Sequence, residues 1–331
     1  MELHLEPAWI LSDGAAGNRR PAAALAEALG LAEVRDLVLH TAAPQRWLAP
    51  RWLPTRPGAF GADFEAALVA GAPRLAIGCG RQAALATRWL KRQQPACLAV
   101  QILDPRLDPG HWDAVLAPLH DGLKGRNVLG FRGGLHGIDG ATLARARIAF
   151  AELARLPAPR TLVLLGGPHA AYALDHGAWT RMCTVLRHWQ AREGGSLLLS
   201  SSRRTPDWLR RAARADLGDL PGRQWHGEAD GENPYLGFLA WADRIVVTPD
   251  SANMLAEACA TTAPVLCPVE RPLQGKLARL YRDLLELGRV RPLKLEFQAW
   301  NVQPLRETAR IAAELRALLL NAGSRGGQGA G

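Results

Sequence analysis

Cysteine is scarce in this sequence and follows no pattern that would pair it. The 331 residues contain five cysteines, an odd number, and these are widely spaced and lie mostly in apolar segments. A disulfide framework needs paired cysteines and a zinc site needs closely spaced ones, so neither fits. The pattern predicts a protein of a reducing compartment. The cysteines are Cys79, Cys97, Cys183, Cys259 and Cys267.

Long apolar runs are also missing, and the first residues do not have the pattern expected of a secretory signal. No stretch approaches the ~18 consecutive apolar residues of a membrane-spanning helix. Residues 1–7 carry Glu2, His4 and Glu6, where a secretory signal would have basic residues followed by an apolar run. We therefore expect a cytoplasmic protein, with at most a peripheral contact on the inner face of the cytoplasmic membrane.

Lysine is rare, although positive charge is not. Only four of the 40 basic residues are lysine, and the net charge is +9. Guanidinium groups bind phosphate through two parallel hydrogen bonds, so this charge favours anionic ligands or an anionic membrane surface. The sequence has no basic run, and its 11 tryptophans are scattered. We therefore expect no nucleic acid partner.

Short apolar runs alternate with amphipathic stretches along the chain, and no internal repeat is evident. This alternation predicts an α/β fold with parallel sheets. At about 150 residues per domain, the length predicts two domains. Predicted strands cover residues 8–11, 33–39, 74–77, 97–102, 114–117 and 127–129 in the first half, and 161–165, 196–200, 244–247 and 265–267 in the second.

A proline-rich connection at residues 156–159 marks the predicted domain boundary. The predicted domains are 1–155 and 156–322, and the last helix is allowed to pack back on the first domain. Residues 323–331 have the composition of a disordered tail. Ligands of open parallel sheets bind beyond the carboxyl ends of the strands, so we expect functional residues in the loops that follow the apolar runs.

The segment 242–268 is the most informative one. Its apolar strand ends at Val247, and Asp250 or Ser251 can cap the next helix, whose first backbone amides can hold phosphate. Asn253 and Glu257 are four residues apart, so they share a helix face that can meet a ribose. The alternative is an ordinary cap followed by a solvated glutamate.

Other loops of the second half offer matching groups. Hydroxyl groups and a pair of arginines follow the predicted strand 196–200, and such donors suit a diphosphate. Thr205 followed by Pro206 is typical of a helix start. A glycine pair follows the predicted strand 161–165, and without side chains its backbone can approach a ligand closely. The alternatives are capped loops and plain turns. The candidate residues are Ser202, Arg203, Arg204, Gly166, Gly167 and Asn233.

In the first half, Asp13 follows the first strand and can act as a general base toward an acceptor hydroxyl. It could equally be a helix cap or a turn residue. His120 and Asp121, which also end an apolar run, are alternative acid or base residues. Residues placed to contact the acceptor are Asn18, Gly78, Gly80 and Arg81.

Four ordered motifs together resemble the elongated-mitochondria (mitochondrial fission) family, whose bacterial members are regarded as glycosyltransferases. They are the stretches 13–18, 202–206, 233–235 and 248–258, and the resemblance covers nearly the whole chain. It implies a GT-B architecture, in which two Rossmann-like domains face a cleft and the second holds the nucleotide sugar. Segment 242–268 is also similar to the donor-binding segment of the peptidoglycan N-acetylglucosaminyltransferase, which implies a ribose contact for Glu257.

The leading hypothesis is a glycosyltransferase that moves a sugar from a nucleotide diphosphate to a hydroxyl of an envelope glycolipid, such as a lipid-linked or lipopolysaccharide-core acceptor. No Asp-x-Asp motif is evident, so we expect no metal and no cofactor besides the donor. Arg203, Arg204 and the helix start at Ser251 would stabilise the leaving diphosphate. The rival hypotheses are a nucleotide-sugar 2-epimerase and a non-catalytic peripheral membrane or fission-type factor.

Overall fold

The structure is a computed structural model that describes residues 4–172 and 174–326. The chain divides into two compact units. Unit 1 takes the chain up to Gly137 and again from Arg306, and unit 2 is Ile138–Leu305.

Unit 1 begins with an alternation of strands and helices, connected by loops and short 3-10 turns. Its elements in chain order are β1 (Ala8–Ser12), α1 (Ala16–Ala28), β2 (Val34–Val38), α2 (Gln45–Leu48), α3 (Ala62–Ala70), β3 (Leu75–Cys79), α4 (Arg81–Gln93), β4 (Leu98–Ile102), β5 (Ala114–Pro118) and β6 (Val128–Phe131).

Unit 2 repeats the alternation. Its elements are α5 (Gly140–Ala149), β7 (Arg160–Leu165), α6 (His176–Glu193), β8 (Ser196–Ser201), α7 (Asp207–Leu217), β9 (Gly222–Trp225), α8 (Tyr235–Trp241), β10 (Arg244–Val247), α9 (Ala252–Cys259), β11 (Val265–Cys267), α10 (Gly275–Glu286) and β12 (Val290–Pro292). The chain then returns to unit 1 as α11 (Thr308–Gly326).

The sheet of unit 1 has six parallel strands in the order β2-β1-β3-β4-β5-β6. Helices cover both faces, which is why β1 reads as a continuous apolar run. Its alternate residues go to opposite faces: Ile10 packs with Ile311 of α11, whereas Trp9 packs with Phe64 of α3. α4 lies on the same face as α3, through Leu90.

The sheet of unit 2 also has six parallel strands, in the order β12-β11-β10-β7-β8-β9. Along β7, Leu164 packs on the face covered by α8, α9 and α10, and Leu165 packs on the face covered by α6 and α7. The predicted α/β class with parallel sheets is confirmed in both units.

Ten strands lie where the sequence predicts them, within a few residues at their ends. The sequence did not predict β9 and β12, which form the two edges of the second sheet. β9 is Gly-Arg-Gln-Trp without a buried residue, and β12 has one buried residue and ends in Pro292. Edge strands need not be apolar on both faces and tolerate proline, so hydrophobic pattern does not reveal them.

The units divide the chain at residues 137 and 138, whereas the sequence placed the boundary at 155. The helix α5 packs on α8, where Arg147 Nε donates to the Ala240 carbonyl over 2.8 Å. Gly237 of α8 lies so close to Phe150 that a Cβ there would be 2.5 Å from the ring. The proline-rich stretch 156–159 is therefore a connection inside unit 2.

The C-terminal helix packs within unit 1, where Ile311 and Leu315 are buried with Leu25 of α1. The sequence predicted a tail from residue 323, but the backbone of α11 stays helical to Gly326. The rest of that predicted tail, 327–331, lies outside the described residues. Among the described residues, no helix has the length and apolar character needed to cross a bilayer.

Candidate functional site

The sheet of unit 2 has its topological switch point between β7 and β10, because β8 follows on one side and β11 on the other. Loops that leave neighbouring strands in opposite directions open a crevice at the carboxyl ends of those strands, and ligands of open α/β sheets bind there. The predicted residues Gly166 and Gly167 follow β7, and Asp250 and Ser251 follow β10.

Three loops at this switch point are joined by hydrogen bonds. The amide of Gly166, after β7, donates to Thr248 Oγ1, after β10, over 2.8 Å. Thr205 Oγ1, after β8, lies 2.8 Å from the Leu165 carbonyl oxygen and 2.6 Å from that of Gly166. The buried hydroxyls thus hold the three strand ends together. The sequence predicted Thr205 as a helix cap, but Pro206 holds the N-cap position of α7.

The glycine pair is required by close packing of these loops. A Cβ on Gly166 would lie 2.0 Å from Asp250 Oδ2, and one on Gly167 would lie 2.4 Å from the Cβ of Arg204. Any larger side chain would push the loops after β8 and β10 away from β7. The glycines therefore bring Asp250 and Arg204 to the strand end.

Asp250 is buried, with 5% of its surface exposed. Burial raises the pKa of its carboxyl, while hydrogen bonds from Thr248 and the Gly167 amide and the charge of Arg204 oppose that rise. Oδ1 has no hydrogen-bond partner among the described residues. The N-cap of α9 is Ser251, whose Oγ accepts from the Met254 amide over 3.4 Å, so of the two predicted caps the structure uses Ser251.

The paired arginines lie in the loop between β8 and α7. Ser202 Oγ accepts from the Arg204 amide over 3.2 Å and lies 3.1 Å from Thr205 Oγ1. Arg210 Nη2 donates to the carbonyls of Ser202 and Arg203, over 3.1 and 3.2 Å. These contacts order the loop backbone, and the side chains of Arg203 and Arg204 remain exposed.

On the other face of the sheet, only 5% of Glu257 is exposed, so it is not the solvated glutamate of the alternative hypothesis. The Tyr235 hydroxyl donates to Glu257 Oε2 over 2.5 Å. Asn233 Oδ1 accepts from the Tyr235 amide over 3.0 Å, which ties the loop before α8 to this pair. Asn253 precedes Glu257 by one helical turn on α9.

A cavity of about 310 Å³ opens beside the glycine pair. The rings of His176 and Trp208, from α6 and α7, stack in its wall with centroids 4.1 Å apart. Tyr172 lines it as well and donates its hydroxyl to the Pro268 carbonyl over 3.1 Å. Asp250 also lines the cavity. The sequence did not predict this cavity, because the residues that line it come from several separate parts of the chain.

A hydrogen-bonded network around the buried His226, at the end of β8, was also not predicted from the sequence. His226 Nε2 lies 2.9 Å from Gln224 Oε1, an acceptor, so Nε2 carries the proton and Nδ1 accepts from Ser201 Oγ over 2.8 Å. The His226 amide donates to Asp230 Oδ2 over 2.7 Å, and Asp230 pairs with Arg214. Burial, together with Arg214, lowers the pKa of His226 to about 4.

Unit 1 has its own switch point, between β1 and β3. Asp13 Oδ1 accepts from Asn18 Nδ2 over 2.9 Å and from the Ala15 amide over 3.1 Å. Gly80, with φ of 91°, approaches Asn18 so closely that a Cβ would lie 2.6 Å from Nδ2. The structure therefore brings Asp13, Asn18 and Gly80 together. The N-cap of α1 is Ala15, so Asp13 orders the turn rather than capping the helix.

Two of the other acceptor candidates have packing contacts. Arg81, at the start of α4, donates through Nη2 to the Arg46 carbonyl over 3.2 Å. Gly78 is buried within β3, where a Cβ would lie 2.8 Å from Thr87 Cγ2 of α4.

The alternative acid or base residues lie at a different place on the sheet. His120 and Asp121 form a 3-10 turn after β5, and β3 and β4 separate that strand from β1. Their side chains are 9% and 3% exposed, and His120 Nε2 lies 4.0 Å from Asp121 Oδ1. The structure therefore does not bring them together with Asp13.

The solved structures that resemble this one include UDP-GlcNAc 2-epimerases and MurG. UDP-GlcNAc 2-epimerase from Methanocaldococcus jannaschii aligns with a TM-score of 0.54 and 15% identity, over 93% of this chain and 91% of its own. MurG from Acinetobacter baumannii aligns with a TM-score of 0.50 and 12% identity, over 94% of this chain and 90% of its own. At such identities the likeness concerns the fold, which is of the GT-B type.

Sequence relatives identify the family. The family model described as Mitochondrial fission ELM1 matches residues 16–319. Mitochondrial fission protein ELM1 from Arabidopsis thaliana is 30% identical over 273 residues, which are 74% of this chain and 63% of the Arabidopsis protein. This chain thus spans less than two thirds of that relative's length. With nearly its whole length matched, the chain belongs to the mitochondrial fission ELM1 family.

Proposed function

We propose that unit 2 binds a nucleotide-diphosphate sugar and that the protein transfers the sugar to an acceptor hydroxyl. The observation that carries this proposal is the joined set of loops after β7, β8 and β10, with glycines that admit no side chain at their meeting point. Loops held in place before the ligand arrives lose little entropy on binding, as a preorganised site requires.

The diphosphate would lie between the first turn of α9 and the arginine loop. A helix start presents backbone amides and the positive end of the helix dipole, and Arg203 and Arg204 supply guanidinium groups. Charge that develops on the leaving diphosphate would be stabilised by these fixed groups, so the proposal requires no divalent metal.

The ribose would contact Glu257, which Tyr235 orients by its hydrogen bond. The sugar would enter the cavity beside Gly166 and Gly167. That cavity, about 310 Å³, lies at the small end of the range of roughly 300–1,000 Å³ found for ligand sites. Asp250 Oδ1 would accept a hydrogen bond from a sugar hydroxyl, and the aromatic wall would pack on the apolar face of the sugar ring.

The acceptor would bind unit 1 beyond β1 and β3. Asp13, ordered by Asn18, would take the proton of the acceptor hydroxyl as it attacks the anomeric carbon. His120 and Asp121 are the alternative groups for this step. We propose that the acceptor is a hydroxyl of a lipid-linked or lipopolysaccharide-type envelope glycolipid.

A screen of nucleoside diphosphates tests the donor site. Uridine, guanosine, cytidine and thymidine diphosphates are each titrated into the protein by calorimetry, and we expect one base to bind best. The matching nucleotide sugars are then incubated with and without glycolipid acceptors. Transfer to the acceptor supports the proposal, and no affinity for any of the four would refute it.

A 2-epimerase is the second candidate, because UDP-GlcNAc 2-epimerases are among the solved structures with a similar fold. Labelled nucleotide sugar incubated without an acceptor decides between the two. Epimerised sugar would assign the epimerase, and an unchanged sugar that is transferred once acceptor is added would assign the transferase. Vesicle binding without nucleotide affinity would assign the fission-type factor.

A further inference from the structure

A patch of apolar side chains is exposed on unit 1, between β2 and α3. Trp47 is 65% exposed, Leu48 44% and Trp52 54%. Large apolar residues that lie together on a surface mark a site of contact with a partner or a membrane. We call these three residues, together with Arg46 and Arg51, the Trp47 surface.

The backbone beneath the Trp47 surface is firmly held. The amides of Arg51 and Trp52 both donate to the Leu48 carbonyl, over 2.8 and 3.4 Å, so the chain continues turning after α2. Leu48 and Trp52 are thereby one turn apart.

α4 anchors the same segment from below. Arg88 Nη1 donates to the carbonyls of Pro50 and Arg51, each over 3.1 Å. Trp89 Nε1 donates to the Pro54 carbonyl over 3.0 Å. The exposed indoles are therefore presented by an ordered backbone, which reduces the entropy lost when they bind.

The charged side chains of the segment that carries the Trp47 surface are all positive. Residues 37–62 contain no aspartate or glutamate, and Arg46, Arg51 and Arg56 in this stretch are exposed. Tryptophan settles at the boundary between headgroups and acyl chains, where its ring is in an apolar medium and its N–H meets water. Arginine beside it meets anionic headgroups. This combination complements an anionic lipid surface.

A nucleic acid fits this surface less well. Single-stranded nucleic acid tracks a groove lined by cations. Here the two exposed arginines lie beside an apolar area that also includes Ala42, Ala43 and Pro44, which precede α2 and are all exposed. Acyl chains would bury this apolar area, whereas phosphates would not.

We propose that the Trp47 surface docks unit 1 on an anionic membrane. Trp47, Leu48 and Trp52 insert at the headgroup level, and Arg46 and Arg51 bind lipid phosphates. The inference is independent of sugar transfer, because it needs no nucleotide. If the protein is a transferase with a lipid-borne acceptor, this docking would bring it to the surface that carries the acceptor.

Sedimentation of the full chain with lipid vesicles tests the proposal. One set is phosphatidylcholine alone, and the other is equal parts of phosphatidylcholine and phosphatidylglycerol. We expect binding to the anionic set only, weakened by added salt because screening reduces the attraction. Each arginine contributes about fivefold to the partition constant, so Arg46→Gln with Arg51→Gln should lower it on the order of tenfold or more.

The tryptophans are tested in the same assay. Trp47→Ala with Trp52→Ala should lower the partition constant by at least about tenfold, because two buried rings are lost. Ile148→Ala and Arg282→Gln change exposed residues of unit 2 and should leave binding unchanged. The substituted side chains are exposed, so the melting temperature should stay at the wild-type value.

Lipids brominated in their acyl chains give a second measurement. They should quench tryptophan fluorescence of the wild type and of the Ile148→Ala control, and quench the double tryptophan variant much less. Equal vesicle binding by wild type and double variant would overturn the proposal. A wild-type dimer that the tryptophan changes dissociate, without any vesicle binding, would assign the surface to a second copy instead.

Discussion

The hydroxyl of Tyr235 donates to Glu257 Oε2 over 2.5 Å, which joins the first residue of α8 to the last turn of α9. The bond therefore helps to fix the position and the orientation of the buried carboxyl group. In the proposed donor site, a glutamate held in this way contacts the ribose.

The first prediction concerns this pair. Glu257→Gln should weaken nucleoside diphosphate binding about tenfold, because a charge-assisted hydrogen bond to the ribose becomes a neutral one. Tyr235→Phe should weaken it less, since only the orientation of Glu257 is loosened. Calorimetry gives the affinities. Glu286→Gln, a change to an exposed glutamate of α10, is the matched control, and equal affinity in all four proteins would refute the ribose assignment.

The second prediction separates the sugar from the nucleotide. Trp208→Ala removes one ring of the stacked pair in the cavity wall, so affinity for the nucleotide sugar should fall about tenfold while affinity for the nucleoside diphosphate stays unchanged. Trp208→Phe should restore most of the loss because it keeps a ring. A parallel loss for both ligands would mean that the cavity does not hold the sugar, although the nucleotide site would stand.

The third prediction tests the glycine pair. Gly166→Ala places a Cβ on Asp250 Oδ2 and should reduce the free energy of unfolding by about 3 kcal/mol, since the loops must separate. Gly227→Ala is the control, because its Cβ would meet nothing within 4 Å and its φ of 161° is extended. Urea unfolding of both variants measures the difference. Equal free energies of unfolding for the two variants would contradict the prediction and show that the loops accommodate the added methyl group.

Sequence alone predicted the class of fold and ten of the strands, because buried parallel strands have short-range signatures. It missed what depends on packing between distant residues. The edge strand β9 has no buried residue, and the cavity wall combines His176 with Trp208 from different helices. The proline-rich stretch 156–159 has the composition of a linker, yet Phe150, which precedes it, packs on Gly237 inside unit 2.

The fourth prediction follows from the buried His226. Its pKa is about 4 in the folded protein against an ordinary value of 6.5, so the unfolded chain binds the proton more readily. Stability should be greatest above pH 6.5 and fall as the pH drops from 6.5 toward 4, by roughly 3 kcal/mol from this group. His226→Gln, which cannot titrate, should flatten the dependence in this window. Urea unfolding at several pH values measures it, and an unchanged slope in the variant would contradict the assignment.

The fifth prediction addresses the chemistry on unit 1. Asp13→Asn keeps a side chain that can accept from Asn18 and from the Ala15 amide, but it cannot take a proton. If Asp13 is the general base, kcat should fall about 10²- to 10⁴-fold, and the affinity of unit 2 for the nucleoside diphosphate should not change.

Asn18→Ala tests how much the orientation of Asp13 contributes to kcat. It removes the hydrogen bond that orders Asp13 and leaves the carboxylate in place, so kcat should fall less than in Asp13→Asn. If Asp13→Asn keeps the wild-type kcat and His120→Gln loses it, the general base belongs at the end of β5.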